Sequence, residues 1–227
     1  MTLYSTDLRP SDEKHTAVIY SAPKLPTWYR KNGKRILDLA VVLATCWFTI
    51  PIIGFLALAV LVTGQSAFYT QDRIGLGGKT FRIWKLCTML PNADERLEKY
   101  LTNNPEFREE WETKQKLAND PRITPLGRFL RKTSLDELPQ LFNVFNGTMS
   151  LIGPRPMMLE QKAQYTGNAY YRLRPGMSGL WQVSDRSNGD FVGRVRYDEM
   201  YDATLSLSTD VRVIAQTVGV VVRGTGV

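Results

Sequence analysis

The chain has little of what most soluble hydrolases and metalloenzymes rely on. Its 227 residues hold one histidine, His15, and two cysteines, Cys46 and Cys87. A lone histidine in a polar stretch punctuated by prolines argues against a Ser-His-Asp triad, a Cys-His pair and a histidine-rich zinc site. Two cysteines, with Cys46 inside an apolar run, argue against a disulfide framework and a thiolate metal centre. The first 25 residues place no apolar core behind a basic start, so they do not read as a signal peptide. Internal repeats and low-complexity segments are missing as well. Catalysis by this chain must therefore lean on carboxylates, Lys/Arg, hydroxyls and a hard cation.

What the chain has is positive charge and one long apolar run. Lys and Arg number 29 against 22 Asp and Glu, a net +7. That excess favours an anionic partner, and charge alone does not choose among nucleic acid, anionic lipid and a phosphorylated substrate. The basic and aromatic residues form no recognisable nucleic-acid-binding module, so no nucleic-acid partner is expected.

Three regions follow from the pattern. Residues 1–27 read as a mobile polar leader, 28–64 as a membrane segment and 65–227 as a catalytic domain. From Ile36 to Val62 the only charge is Asp38. As a straight helix this run would reach roughly 40 Å, against a hydrocarbon core of about 30 Å. Hydropathy alone reads a single crossing. Two features read a re-entrant segment instead. Pro51 near the middle predicts a kink, and cations flank both ends: Arg30, Lys31, Lys34 and Arg35 before it, Arg73, Lys79, Arg82 and Lys85 after it. Short basic flanks prefer the cytoplasmic side, and only a helix that enters, bends and returns keeps both sets there.

Beyond the run, Phe68 to Lys85 carries β-favouring residues on both sides of Gly75-Leu76-Gly77-Gly78, which predicts a hairpin. Helical spacing covers Asn92 to Tyr100 and Phe107 to Leu117. Thr124-Pro125 reads as an N-cap followed by proline at the first helical position. The helix it opens sets Leu126, Phe129 and Leu130 on one face and Arg128, Arg131 and Lys132 elsewhere, a pattern that suits either an anionic bilayer surface or the domain core. The fold class expected is mixed α and β, rich in helix.

The stretch from Arg131 to Pro156 concentrates the chemistry. Ser134-Leu135-Asp136-Glu137 matches a capping box, with Ser134 as N-cap and Glu137 reaching back. The same helix start would favour an ionised Asp136 and welcome a phosphate. Arg131 precedes Asp136 by one and a half turns. Arg155, between Pro154 and Pro156, has little backbone freedom, which suits either a fixed fork for phosphate oxygens or a structural salt bridge.

These residues resemble the bacterial sugar transferase family, the monotopic phosphoglycosyl transferases. The resemblance rests on the run from Arg131 to Pro156 and on Arg174 to Val183, with Gln71-x-Arg73-x-Gly75, Gly78-Lys79 and Lys85 to Met89 in support. It is closest to the short exopolysaccharide-initiation subgroup, without an extra membrane bundle. The resemblance implies transfer of sugar 1-phosphate from a UDP-sugar to undecaprenyl phosphate with release of UMP, with galactose the sugar the subgroup suggests. It implies that Asp136 is the nucleophile of a covalent phosphosugar intermediate, that Asp136 and Glu137 hold Mg2+, and that Lys85, Arg131 and Arg155 hold phosphates. It also implies a re-entrant helix broken at Pro51, anionic membrane lipids and downstream glycosyltransferases as partners, and a catalytic domain on the cytoplasmic face of the bacterial inner membrane.

Three positions depart from the family's pattern: Ile50 stands where a serine usually precedes the proline, and Leu86-Cys87 where the family usually has Phe-Arg. Arg172, Arg174, Trp181 and Gln182 suit a nucleotide or sugar pocket, or equally core and solvated surface. Two rival functions remain: a metal-dependent nucleotide-sugar hydrolase using the same carboxylates, and a non-enzymatic membrane anchor for an assembly complex.

Overall fold

An apolar stretch with one proline and one charge has few ways to satisfy its backbone away from water, and a helix is the simplest. In the computed structural model, which describes residues 27–108, 111, 117, 120–184 and 193–222, a π-helical turn at Tyr29–Gly33 leads into α1, Lys34–Val62. Residues 1–26, on which the leader was expected, lie outside the described residues, as does most of the helix expected over Phe107 to Leu117.

α1 runs through Pro51 as one helix, which corrects the expected helix-break-helix. The proline removes a single backbone bond, and the turns before it gain others. Thr45 Oγ1 donates to the carbonyl of Val41 at 2.8 Å, and Thr49 Oγ1 to that of Thr45 at 3.1 Å. Hydroxyl back-bonding of this kind bends helices without opening them. No residue from 43 to 55 is buried, and Trp47 and Phe48 are 82% and 73% exposed, so this is no core helix of a water-soluble body.

Both ends of α1 nevertheless pack on the same body. At the first end Asp38, 1% exposed, accepts from Ser150 Oγ at 3.0 Å and from the Leu151 amide at 2.9 Å. Lys34 Nζ donates to Asp210 at 2.8 Å and to the Tyr201 hydroxyl at 2.7 Å, and Tyr29 donates to Asp210 at 2.6 Å. Arg35 donates to the carbonyls of Val144 and Phe145, where a helix C-terminus welcomes a cation. At the far end Leu56, Ala57 and Val60 join a core with Leu86 and Leu130.

The body is small and layered. β1, Phe68–Ile74, and β2, Thr80–Leu86, form the expected hairpin, with Phe68 opposite Leu86 and Ile74 opposite Thr80. Gly77 and Gly78 take φ of 66° and 77° at its turn, a region in which side-chain-bearing residues are strained. α2, Ala93–Asn103, follows as expected. After it come α3, Pro125–Lys132, and α4, Gln140–Asn146.

A parallel pair, β3 at Ser150–Ile152 and β4 at Gly176–Ser178, closes the body. α5, Ala169–Arg172, stands between these strands in the chain, and α6, Leu180–Ser184, follows them. α7, Arg194–Thr204, and α8, Leu207–Val222, complete it. Ile152, Leu173, Tyr201, Leu205 and Val213 form the core beneath that pair.

Candidate active site

α3 begins as its sequence dictates. Thr124 Oγ1 accepts from the Gly127 amide at 2.9 Å, and Pro125 fills the first helical position. Gly127 is required by packing, since a Cβ there would lie 2.1 Å from the Thr88 carbonyl oxygen. With α3 pressed on Thr88, Arg131 Nε donates to Thr88 Oγ1 at 2.9 Å. The side chain is thereby aimed while the rest of its guanidinium fork stays available.

The expected capping box is not formed. Ser134 sits at φ 56° and ψ 19° with no side-chain cap bond, and Leu135–Glu137 is one 3-10 turn rather than the start of a longer helix. α4 starts only after Pro139. The reason is tertiary: Leu135 and Leu138 pack on the core that holds Leu56, Ala57 and Val60 of α1, and Glu137 is drawn to Lys85, with Nζ 2.7 Å from Oε1. Lys85, which the resemblance implies holds a phosphate, is paired here with Glu137. Asn143 locks α4 to β2, donating to the Arg82 carbonyl at 2.7 Å and accepting from the Trp84 amide at 3.0 Å.

Asp136, between the two leucines, is buried. Burial pushes its pKa up, Lys85 opposes that most strongly, Glu137 adds to it and Arg131 opposes it. The expected helix-dipole preference for the ionised form is therefore outweighed, because one short turn offers little dipole and the carboxyl has lost most of its water. Burial also lowers the pKa of Arg131, with Asp136 the main opposing influence. Lys85, Arg131, Asp136 and Glu137 form one cluster where β2, α3 and the turn at Leu135 meet α1.

Arg155 belongs to a neighbouring surface. The loop that carries it is held by close backbone contact: a Cβ on Gly153 would meet the Arg174 carbonyl oxygen at 2.3 Å, and one on Gly176 the Gly153 nitrogen at 2.1 Å. These approaches explain why Gly153 precedes Pro154-Arg155-Pro156 and Gly176 follows Arg174-Pro175. Arg155 makes no ion pair among the described residues, so the salt-bridge reading is not observed. Its carbonyl accepts from the Arg194 guanidinium. Arg172 is engaged by Asp202 at 2.6 Å and Arg174 by the Gly147 carbonyl at 3.0 Å, both structural contacts. Gln182 is buried and donates to the Met177 carbonyl, and Trp181 Nε1 finds no hydrogen-bond partner among the described residues.

Among the described residues no group of three or more His, Cys, Asp or Glu gathers to hold a metal. The pair Asp136 and Glu137 offers oxygen donors suited to Mg2+, which commonly takes one or two carboxylates and completes its shell with water and substrate phosphates. Thr88 aims Arg131 of the cluster, Asn143 locks α4 to β2 and Asp38 holds β3, and none of the three was singled out for its task by sequence. Their hydroxyl, amide and carboxyl groups acquire it only through partners 43, 61 and 112 residues away.

Residues 29–224 match the model of the bacterial sugar transferases, and the chain belongs to that family. An uncharacterized sugar transferase of Haemophilus influenzae is 42% identical over all of this chain and 48% of its own length. The undecaprenyl-phosphate galactose phosphotransferase of Salmonella typhimurium is 39% identical over all of this chain and 48% of its own. The chain thus spans about half the length of these two relatives. The exopolysaccharide production protein ExoY of Rhizobium meliloti is 41% identical over 86% of this chain and 87% of its own length.

Proposed function

We propose that the chain transfers sugar 1-phosphate from a UDP-sugar to undecaprenyl phosphate, the first membrane step of exopolysaccharide assembly. The observation that carries this is the placement of Asp136. The turn bearing this buried carboxyl packs through Leu135 and Leu138 on the far end of the apolar helix, and Lys85 and Arg131 offset part of what burial costs its charged form. A lipid phosphate arriving along α1 would meet a nucleophile at the bilayer surface.

In the first step an Asp136 carboxylate oxygen bonds to the phosphorus that bears the sugar, and the bond from that phosphorus to UMP breaks. In the second, a phosphate oxygen of undecaprenyl phosphate displaces Asp136, which leaves as carboxylate. Splitting one transfer between two bulky anions into two displacements is the benefit of covalent catalysis. Lys85 and Arg131 orient phosphate oxygens, and Arg155 extends the basic surface. Asp136 and Glu137 would hold Mg2+, which supplies positive charge to the diphosphate when bound.

The chain's membrane segment is read as re-entrant: α1 enters, bends through Pro51 and returns, leaving the catalytic body on the cytoplasmic face of the inner membrane. The packing of both helix ends on one body, with an exposed apolar middle, supports this. Exposed Phe129 between Arg128 and Lys132 on α3 suits contact with anionic lipid headgroups. The lipid-linked product is a substrate for downstream glycosyltransferases. Galactose is the donor sugar most consistent with the relatives' names.

A panel of UDP-sugars with polyprenyl phosphate and Mg2+ tests the reading: one of them should yield UMP only when the lipid is present. Asp136→Asn should lower that rate by about a thousandfold or more, the scale seen on loss of a nucleophile. UMP release that continues over many turnovers without lipid would establish the hydrolase reading instead. Complementation of a deletion by the Asp136→Asn chain would favour the anchor.

A further inference from the structure

The tyrosines of this chain are mostly engaged with their neighbours. Tyr29, Tyr165, Tyr170 and Tyr201 each donate the hydroxyl to a buried acceptor, and Tyr100 and Tyr171 pack against neighbouring rings. Tyr69 has neither a hydroxyl bond nor a ring partner among the described residues, and it is 48% exposed. A large amphipathic side chain left open in this way is a candidate contact for a ligand when it stands beside reactive groups.

The strand register puts Tyr69 there. Residues directly opposite in an antiparallel pair point to one face, with Cβ atoms about 4.5–5.5 Å apart, and Tyr69 lies opposite Lys85. Lys85 Nζ is 2.7 Å from Glu137 Oε1, and Glu137 adjoins Asp136 in one 3-10 turn. Because Asn143 holds β2 to α4, β1 is the outer strand of the hairpin. Exposure accordingly rises from Asp136 at 7% through half-buried Lys85 to Tyr69, which stands at the rim of the cluster. Phe68, the other exposed aromatic at the start of β1, points to the opposite face, where its partner Leu86 packs on Leu56, Ala57 and Val60 of α1. One ring is thus turned toward the apolar helix and the other toward the reactive groups.

We propose that Tyr69 is the platform on which the sugar of the donor stacks. This rests on the transferase reading. In a phosphoryl displacement the attacking and leaving oxygens lie roughly in line, so UMP points away from Asp136. The sugar, joined through one oxygen to the attacked phosphorus, lies to the side, against the wall that flanks Asp136. Tyr69 and Lys85 belong to that wall, whereas the uracil is separated from it by a second phosphate and a ribose. The face of an aromatic ring is electron-rich and attracts polarised C–H groups. A pyranose offers a face of such groups, and its hydroxyls can bond the Tyr69 phenol.

The test is titration into detergent-solubilised chain carrying Asp136→Asn, which binds donor without consuming it. UDP-galactose, UDP-glucose, UDP-N-acetylglucosamine, UDP and polyprenyl phosphate are compared for this parent and for its Tyr69→Phe and Tyr69→Ala forms, with melting temperatures to show that each folds. Tyr69→Ala should weaken the UDP-sugar the parent binds best by about tenfold and leave UDP within about twofold, the scale of one lost aromatic contact. Tyr69→Phe, which keeps the ring, should stay nearer the parent. An equal loss for UDP would put Tyr69 against the nucleotide, and a loss confined to polyprenyl phosphate would put it against the lipid. Either result, unchanged affinity for the UDP-sugar, or no UDP-sugar bound by the parent would overturn the platform. Tyr69-dependent sugar binding in a chain whose wild type makes no lipid-dependent UMP would uphold the platform and sink the transferase reading.

Discussion

Asp136 is a carboxylate placed where water is scarce, and its stability consequences separate from its catalytic ones. Burial raises its folded pKa above the unfolded value. The proton is therefore held more tightly in the folded state, and the stabilisation this provides is fully present below the unfolded pKa and lost as pH rises through the folded one. At neutral pH the ionised group opposes folding. Asp136→Asn should accordingly melt at a higher temperature than wild type at pH 7, without Mg2+ or substrate, and the difference should vanish below about pH 4, near the unfolded pKa. A variant that is inactive yet more stable would mark Asp136 as a functional group kept at the expense of the fold. Neighbouring residues act through position: Thr88 supplies no charge, yet its hydroxyl aims Arg131.

Among the elements, α1 depends on how its first turns are fastened. Asp210 is fully buried and receives hydrogen bonds from Lys34, Tyr29 and Tyr201, so α1 and α8 meet at one carboxylate. Replacing one partner leaves the other charged and buried, at a cost of about 3–5 kcal/mol. Lys34→Met should lower thermal stability in detergent by that order, and the double variant Lys34→Met/Asp210→Leu should recover part of the loss, as a double-mutant cycle would measure. Asp38 plays a parallel part on β3, which leads directly to the Arg155 loop. Fastening α1 and shaping the basic surface are thus tasks of the same few strands and turns.

At the scale of the whole molecule, the proposed re-entrant placement puts both ends of α1 on one side of a bilayer. A straight 29-residue helix would reach about 43 Å, enough to cross, whereas both of its ends pack on one body. With Cys46 and Cys87 replaced by alanine, single cysteines at Thr27 and Gly77 should both resist a membrane-impermeant thiol reagent in intact cells and both react after permeabilisation. Labelling of one position from outside would show a crossing and end the re-entrant reading. Retained activity in the labelled strains guards against misfolding as the cause of protection.

The sequence by itself determined the features whose causes are local. The apolar run sets α1, Gly75 to Gly78 turn the hairpin, and Thr124-Pro125 starts α3, because periodicity, left-handed glycines and capping act over a few residues. The candidates Lys85, Arg131, Asp136, Glu137 and Arg155 came from the ordered motifs that carry the family resemblance, and the structure brings the first four together while Arg155 lies on a neighbouring surface. Only the tertiary structure decided what each group does with its neighbours. Ser134 satisfied the pattern of a capping box, but Leu135 and Leu138 were pulled onto α1 and Glu137 onto Lys85, contacts that join residues about 50 or more positions apart. The burial of Asp136 and the fastening of Asp38 to β3 have the same origin. Each depends on distant segments sharing one small volume, where desolvation and packing outweigh the preferences written into neighbouring residues.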